Sequence, residues 1–108
     1  MLLNFGNGPI EIFYSASIHA NEWITSVLLI KFIEEYCYAY SNKIKLNNVD
    51  IKNLFETYSI YIMPMVNPDG VDLVTGFLDT TSEQFAKVKN IANDYPSIPF
   101  PERLEGKY

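Results

Sequence analysis

Residues 10–23 read Ile10-Glu11-Ile12-Phe13-Tyr14-Ser15-Ala16-Ser17-Ile18-His19-Ala20-Asn21-Glu22-Trp23, and the fold class turns on them. Ile10 to Ile18 is β-branched and aromatic and carries no charge after Glu11. So little alternation predicts a strand buried on both faces, the pattern of a parallel α/β sheet. Gly6, Gly8 and Pro9 mark a turn before it. Asn21 is placed to cap a helix by accepting an amide bond from its first turn.

The segment that follows has helical periodicity. Leu29, Ile30, Ile33, Tyr36, Cys37 and Tyr40 fall on one side of a wheel, with Lys31, Glu34, Glu35 and Tyr38 opposite. Trp23, Ile24, Val27, Leu28 and Phe32 leave almost no polar face in the first two turns. That half is therefore expected to be buried all round, and the second half to lie on the surface. Lys43 to Asn48 reads as a polar connection and Val49 to Glu56 as a short helix. Ile60 to Val66 (IYIMPMV) reads as a second apolar strand, with Pro64 at an edge, a bulge or an unpaired side. Strand, long helix and strand make a βαβ unit, which favours parallel strands and a right-handed crossover.

Downstream, Asn67-Pro68-Asp69-Gly70 predicts a tight turn, with proline fixing φ and glycine supplying φ > 0. Thr80 or Thr81 with Glu83 or Gln84 resembles a capping box. It opens a helix that carries Phe85, Val88, Ile91 and Ala92 on one side. Pro96 to Tyr108 holds three prolines and no clear element.

Bulk composition narrows the function classes. The chain has 108 residues, 48% of them hydrophobic and 19% charged, which is the composition of one globular domain at most. A formal charge of -5 with a single arginine, Arg103, lacks the basic footprint of a nucleic-acid binder. A lone cysteine, Cys37, rules out an internal disulfide framework, suits a reducing compartment and fits a helix core position. The start MLLNFGNG does not read as a signal peptide and no apolar run is long enough to span a bilayer, so a cytoplasmic location is expected.

His19 is the only histidine, and Glu22 follows it by three. In parallel α/β proteins, sites collect beyond the carboxyl ends of strands, which is where His19 falls. A neutral imidazole nitrogen and a carboxylate oxygen both ligate zinc, and a strand-to-helix corner aims two such groups at one point. The helix N-terminus favours an ionised Glu22. The same spacing also fits a first-turn capping glutamate beside a hydrogen-bonded histidine.

FGNGPIEIFYSASIHANEWITSVLLIKFIEEY followed by YIMPMVNPDGVDLV resembles the zinc carboxypeptidase family, with the nearest likeness to bacterial γ-D-glutamyl-L-diamino acid endopeptidases. The likeness runs from about Asn4 to Val74, and HANEW and VNPDG are its most specific motifs. It implies a fragment of a three-layer α/β/α zinc-peptidase domain, so that residues 1–108 form a single partial domain with a βαβ core and an additional helix. By the same resemblance His19 and Glu22 are zinc ligands. Asn67 to Gly70 lies near the family's substrate groove, although backbone geometry accounts for those four residues. The complete enzyme would cut peptides, with peptidoglycan stem peptides as the candidate substrate.

The departures from the family pattern are specific. The family's second zinc-binding histidine and its catalytic glutamate have no counterpart here, and Arg103 in PERLEGKY does not match the substrate-binding arginine motif. Strands expected before FGNG are also not evident. The expectation is half of a zinc site on a chain that is inactive alone. The rival expectation is a non-enzymatic fragment that self-associates or binds a partner through uncovered apolar sheet or helix surface.

Overall fold

The computed structural model describes residues 1–94; the Pro96–Tyr108 tail and Arg103 lie outside the described residues. Strands β1 (Leu3–Phe5) and β2 (Ile10–Ser15) lead through a 3-10 turn (Ala20–Glu22) into helix α1 (Ile24–Asn42). A hairpin of β3 (Lys45–Leu46) and β4 (Val49–Asp50), helix α2 (Ile51–Thr57) and strand β5 (Tyr58–Met63) follow. Helices α3 (Pro68–Thr75) and α4 (Glu83–Asn93) complete the described chain.

The main sheet has the order β1-β5-β2. β2 runs parallel to β5, with Ile10 opposite Tyr58 and Ser15 opposite Met63, as the βαβ reading expects. β1 is antiparallel to β5, pairing Leu3 with Ile62 and Phe5 with Ile60. This strand is not legible in the sequence, because three residues are too few for a period. The result is a mixed α/β fold containing a parallel pair, in agreement with the expected class.

β5 is the centre of the sheet and of the core. Ile60 and Ile62 point to one face, where they pack with Ala39 of α1 and Ile51 and Phe55 of α2. Phe5, Leu29, Phe32, Ile33 and Tyr36 close around that cluster. Burying a side chain such as Ile62 contributes roughly 1.5–3 kcal/mol. Gly6 and Gly8, in the connection from β1 to β2, lie against the backbone where α2 passes into β5. A Cβ on Gly6 (φ 81°) would lie 2.2 Å from the Tyr58 carbonyl oxygen, and one on Gly8 would lie 1.9 Å from the Thr57 backbone. Only glycine allows that approach.

Several boundaries differ from the sequence reading. β2 stops at Ser15, not Ile18, and most of it is exposed, including Phe13 at 57%. The expectation of burial on both faces fails because, among the described residues, no layer fully covers the faces that carry Ile10, Phe13 and Tyr14. Trp23, Ile24, Val27 and Leu28 are likewise exposed, so the all-round burial expected for the start of α1 is also overturned. The core cluster takes its α1 side chains from the Leu29 to Ala39 stretch only. Asn21 does not cap α1. It sits inside the 3-10 turn, Trp23 occupies the N-cap position, and no side chain caps the helix there.

The connection after α1 is more ordered than a polar loop. Lys43 takes φ 57° and the Ile44 amide donates to the Ala39 carbonyl at 2.9 Å, a left-handed C-cap. Asn47 (φ 48°) and Asn48 (φ 66°) then make a two-residue hairpin turn between Leu46 and Val49. Asparagine tolerates this left-handed pair, the geometry that two-residue hairpins favour. The predicted short helix starts two residues late, capped by Asp50, whose side chain accepts from the Lys52 and Asn53 amides. β5 spans Tyr58–Met63, so Pro64 lies just past the ladder and removes no bond from it.

The predicted tight turn at Asn67–Gly70 is instead the start of α3. Asn67 Oδ1 accepts from the Gly70 amide at 3.0 Å and Pro68 occupies the first turn, so the same residues serve as a helix cap. Gly70 does not need positive φ; Gly76, with φ 80°, does, and it ends α3. Ser82, not Thr80 or Thr81, caps α4 by accepting from the Phe85 amide at 3.1 Å. Thr81 instead donates to Asp79, and the two hydrogen bonds hold the Asp79 carboxyl below its ordinary pKa.

Candidate metal site

The site forms where β2 runs out. After Ser15 the chain keeps the direction of the sheet for one residue, and the Ala16 amide donates to the Met63 carbonyl at 3.1 Å. Ser17 then takes φ 51°, a left-handed conformation that turns the backbone away from β5. His19 returns to extended backbone, and its carbonyl accepts from the Glu22 amide at 3.1 Å to close the 3-10 turn. The turn brings the two predicted residues together, with His19 Nδ1 3.3 Å from Glu22 Oε2.

Both side chains are open to solvent, at 67% for His19 and 53% for Glu22. An exposed pair of this kind contributes little to stability. They line a shallow cavity of about 270 Å³ with Ser15, Ala16, Ser17, Ile18 and Thr25. Among the described residues, no group of three or more His, Cys, Asp or Glu side chains gathers there or elsewhere.

The donor set fits zinc in type and spacing, and falls short in number. Two ligands of a tetrahedral zinc, each bonded at roughly 2.0–2.2 Å, stand about 3.4 Å apart. The observed separation of 3.3 Å, that of a direct hydrogen bond or ion pair between the two groups, is compatible with that spacing. A catalytic zinc takes three protein ligands and keeps one open position. His19 and Glu22 offer two candidate donors beside an open cavity.

Sequence reasoning finds the two donors and misses what surrounds them. Ser17 and Ser26 are buried, with their hydroxyl oxygens 2.6 Å apart. The Ser17 amide donates to Thr25 Oγ1 at 3.0 Å, and Thr25 Oγ1 donates to the Glu22 carbonyl at 2.7 Å. Asn67, at the start of α3, joins them, its amide donating to the Ser17 carbonyl at 3.1 Å. The only signal in the sequence is a set of small hydroxyl residues flanking the motif. Their separations of eight and nine residues cross a strand-to-helix corner, where no simple period applies.

With this geometry in view, comparison with known proteins identifies the lineage. The family model described as zinc carboxypeptidase matches residues 5–95, and the chain belongs to that family. It is 42% identical over 69 residues to gamma-D-glutamyl-L-diamino acid endopeptidase 1 of Lysinibacillus sphaericus, a match covering 64% of this chain and 17% of that protein. A zinc carboxypeptidase of Saccharothrix mutabilis subsp. capreolus is 38% identical over 68 residues, covering 61% of this chain and 14% of the relative. Carboxypeptidase E of Caenorhabditis elegans is 36% identical over 66 residues, covering 61% and 13% respectively. The matched stretch thus spans about a sixth of the length of these relatives, or less. No solved structure matches the chain significantly. Among the described residues, no helix is long and apolar enough to cross a membrane.

Proposed function

We propose that this chain, residues 1–108, is one part of a zinc metallopeptidase catalytic domain and carries the first half of its metal site. The observation that supports this best is the 3.3 Å approach of His19 Nδ1 to Glu22 Oε2 at the carboxyl end of a parallel strand. His19 and Glu22 would hold the ion, and the remaining ligand and the general base would come from elsewhere in the family domain. When bound, zinc supplies a Lewis acid that polarises a peptide carbonyl and lowers the pKa of water.

The work of this chain's own residues is orientation. The 3-10 turn fixes the direction of both donors, and the cavity beside them leaves room for a peptide. Two donors are too few to fix a catalytic geometry, so the chain alone is inactive. The substrate class is proposed from the endopeptidase relative: a peptide containing a γ-D-glutamyl-diamino acid bond, as in peptidoglycan stem peptides.

Zinc titration of the purified chain and of His19→Ala tests the metal reading. Measurable zinc binding at neutral pH that is lost in His19→Ala supports it; equal binding by both proteins, or none by either, refutes it. The same preparations should leave a γ-D-glutamyl-diamino acid peptide uncut. Hydrolysis by the chain that disappears in His19→Ala would disprove inactivity while supporting the site.

A second reading draws on a separate observation. Phe13, Ile18, Trp23, Ile24, Val27 and Leu28 are exposed together with the free edge of β2, a surface suited to self-association of a non-enzymatic fragment. A monomer across the micromolar range, measured by light scattering, would exclude it.

A further inference from the structure

The corner that carries His19 and Glu22 is held by hydroxyl groups. Ser17 is 1% exposed and adopts φ 51°, where a side chain is disfavoured and glycine would be the easy choice. What serine adds there is a buried hydroxyl, paired with Ser26 Oγ at 2.6 Å and 3.5 Å from the Glu22 carbonyl oxygen. Thr25 Oγ1 bridges the same two residues, accepting from the Ser17 amide and donating to the Glu22 carbonyl. Both hydroxyls therefore act on the backbone of the residue whose carboxylate meets His19. The 3-10 turn itself has no side-chain cap, and these bonds are the side-chain hydrogen bonds to the backbone of the corner among the described residues.

We propose that Ser17 and Thr25 are positioning residues, which lock the Ser17–Glu22 corner and so hold His19 Nδ1 and Glu22 Oε2 at ligand spacing. Thr25 supplies the clamp from the first turn of α1, and Ser17 supplies both the bend and a second hydroxyl. The buried Ser26 hydroxyl anchors Ser17 to the helix. The Asn67 amide, on the Ser17 carbonyl, ties the corner to the start of α3. The significance of this clamp for catalysis rests on the zinc reading; its effect on the two side chains does not.

The test uses the full chain and its single histidine, which gives one imidazole signal in nuclear magnetic resonance. Thr25→Val keeps the shape but removes both bonds, Thr25→Ser restores them, and Ser17→Gly tolerates the positive φ while losing the hydroxyl. The expected result is a cross-peak between the His19 ring and the Glu22 side chain in the parent. It is lost in Thr25→Val and Ser17→Gly and recovered in Thr25→Ser, while all variants keep a cooperative melt. Zinc affinity should fall roughly 10–100-fold in the first two, as for other residues that orient metal ligands.

The proposal is overturned if the cross-peak is absent in the parent, or if it and the zinc affinity persist in both variants. It is also overturned if both variants lose their fold, which would assign the cluster to stability alone. If the parent binds no zinc, the metal reading fails, and the cross-peak alone still decides the positioning role.

Discussion

The two halves of α1 have similar apolar content and opposite fates. Its carboxyl-terminal half meets α2 and the Ile60–Ile62 face of β5, and Ala39 there is 1% exposed. Its amino-terminal half shows Ile24, Val27 and Leu28 to solvent at 59%, 54% and 68%. The packed half has an apolar layer against it, whereas the face of Ile24, Val27 and Leu28 stands open among the described residues. Apolar character alone therefore does not produce burial; a facing surface does. The open half is also the half beside His19 and Glu22, whose side chains are 67% and 53% exposed.

The largest effect that would test this contrast is in the closed half. Ile62→Ala removes a side chain with no exposed surface and should cost about 2–5 kcal/mol, read from urea unfolding. A cost below about 1 kcal/mol would mean that the β5 face is not the core.

A smaller effect is expected at Cys37, on the same half of α1. Burial pushes its thiol above the ordinary cysteine pKa, because the thiolate is the form that loses hydration. In mildly alkaline buffer the folded chain should therefore hold less thiolate than an unfolded one, and alkylation should be slower. The rate should reach that of the urea-unfolded chain only at more alkaline pH. Equal rates in mildly alkaline buffer would place Cys37 in an open environment.

The smallest effect is expected in the open half. Leu28→Ser should change unfolding free energy by no more than about 0.5 kcal/mol, as for an exposed position with no packing partner. A loss comparable to that of Ile62→Ala would show that the start of α1 is covered in solution.

Much of the organisation is legible in the order of residues. The Ile10 and Ile60 strands, the long helix between them and their parallel pairing follow from residue type, length and order. The His19–Glu22 pair is legible because a single histidine with a glutamate three residues on is a local pattern. Other features are not. β1, the Asn47-Asn48 hairpin and the Ser82 cap occupy one to three residues each, too few for periodicity to separate them from loops. Asn67 to Gly70 misleads in a different way. Asn-Pro-Asp-Gly satisfies both a tight turn and a helix start, and only the continuation through Val71 to Thr75 selects the helix.

Near neighbours and the chemistry of individual residues are enough to define the α/β class and to single out the His19–Glu22 pair. Which surfaces of β2 and α1 are covered depends on elements far apart in the chain, so coverage emerges only from the packed fold. The same holds for the convergence of His19 and Glu22. Their separation in sequence permits many geometries, and the left-handed bend at Ser17, held by Thr25, Ser26 and Asn67, selects the one at 3.3 Å.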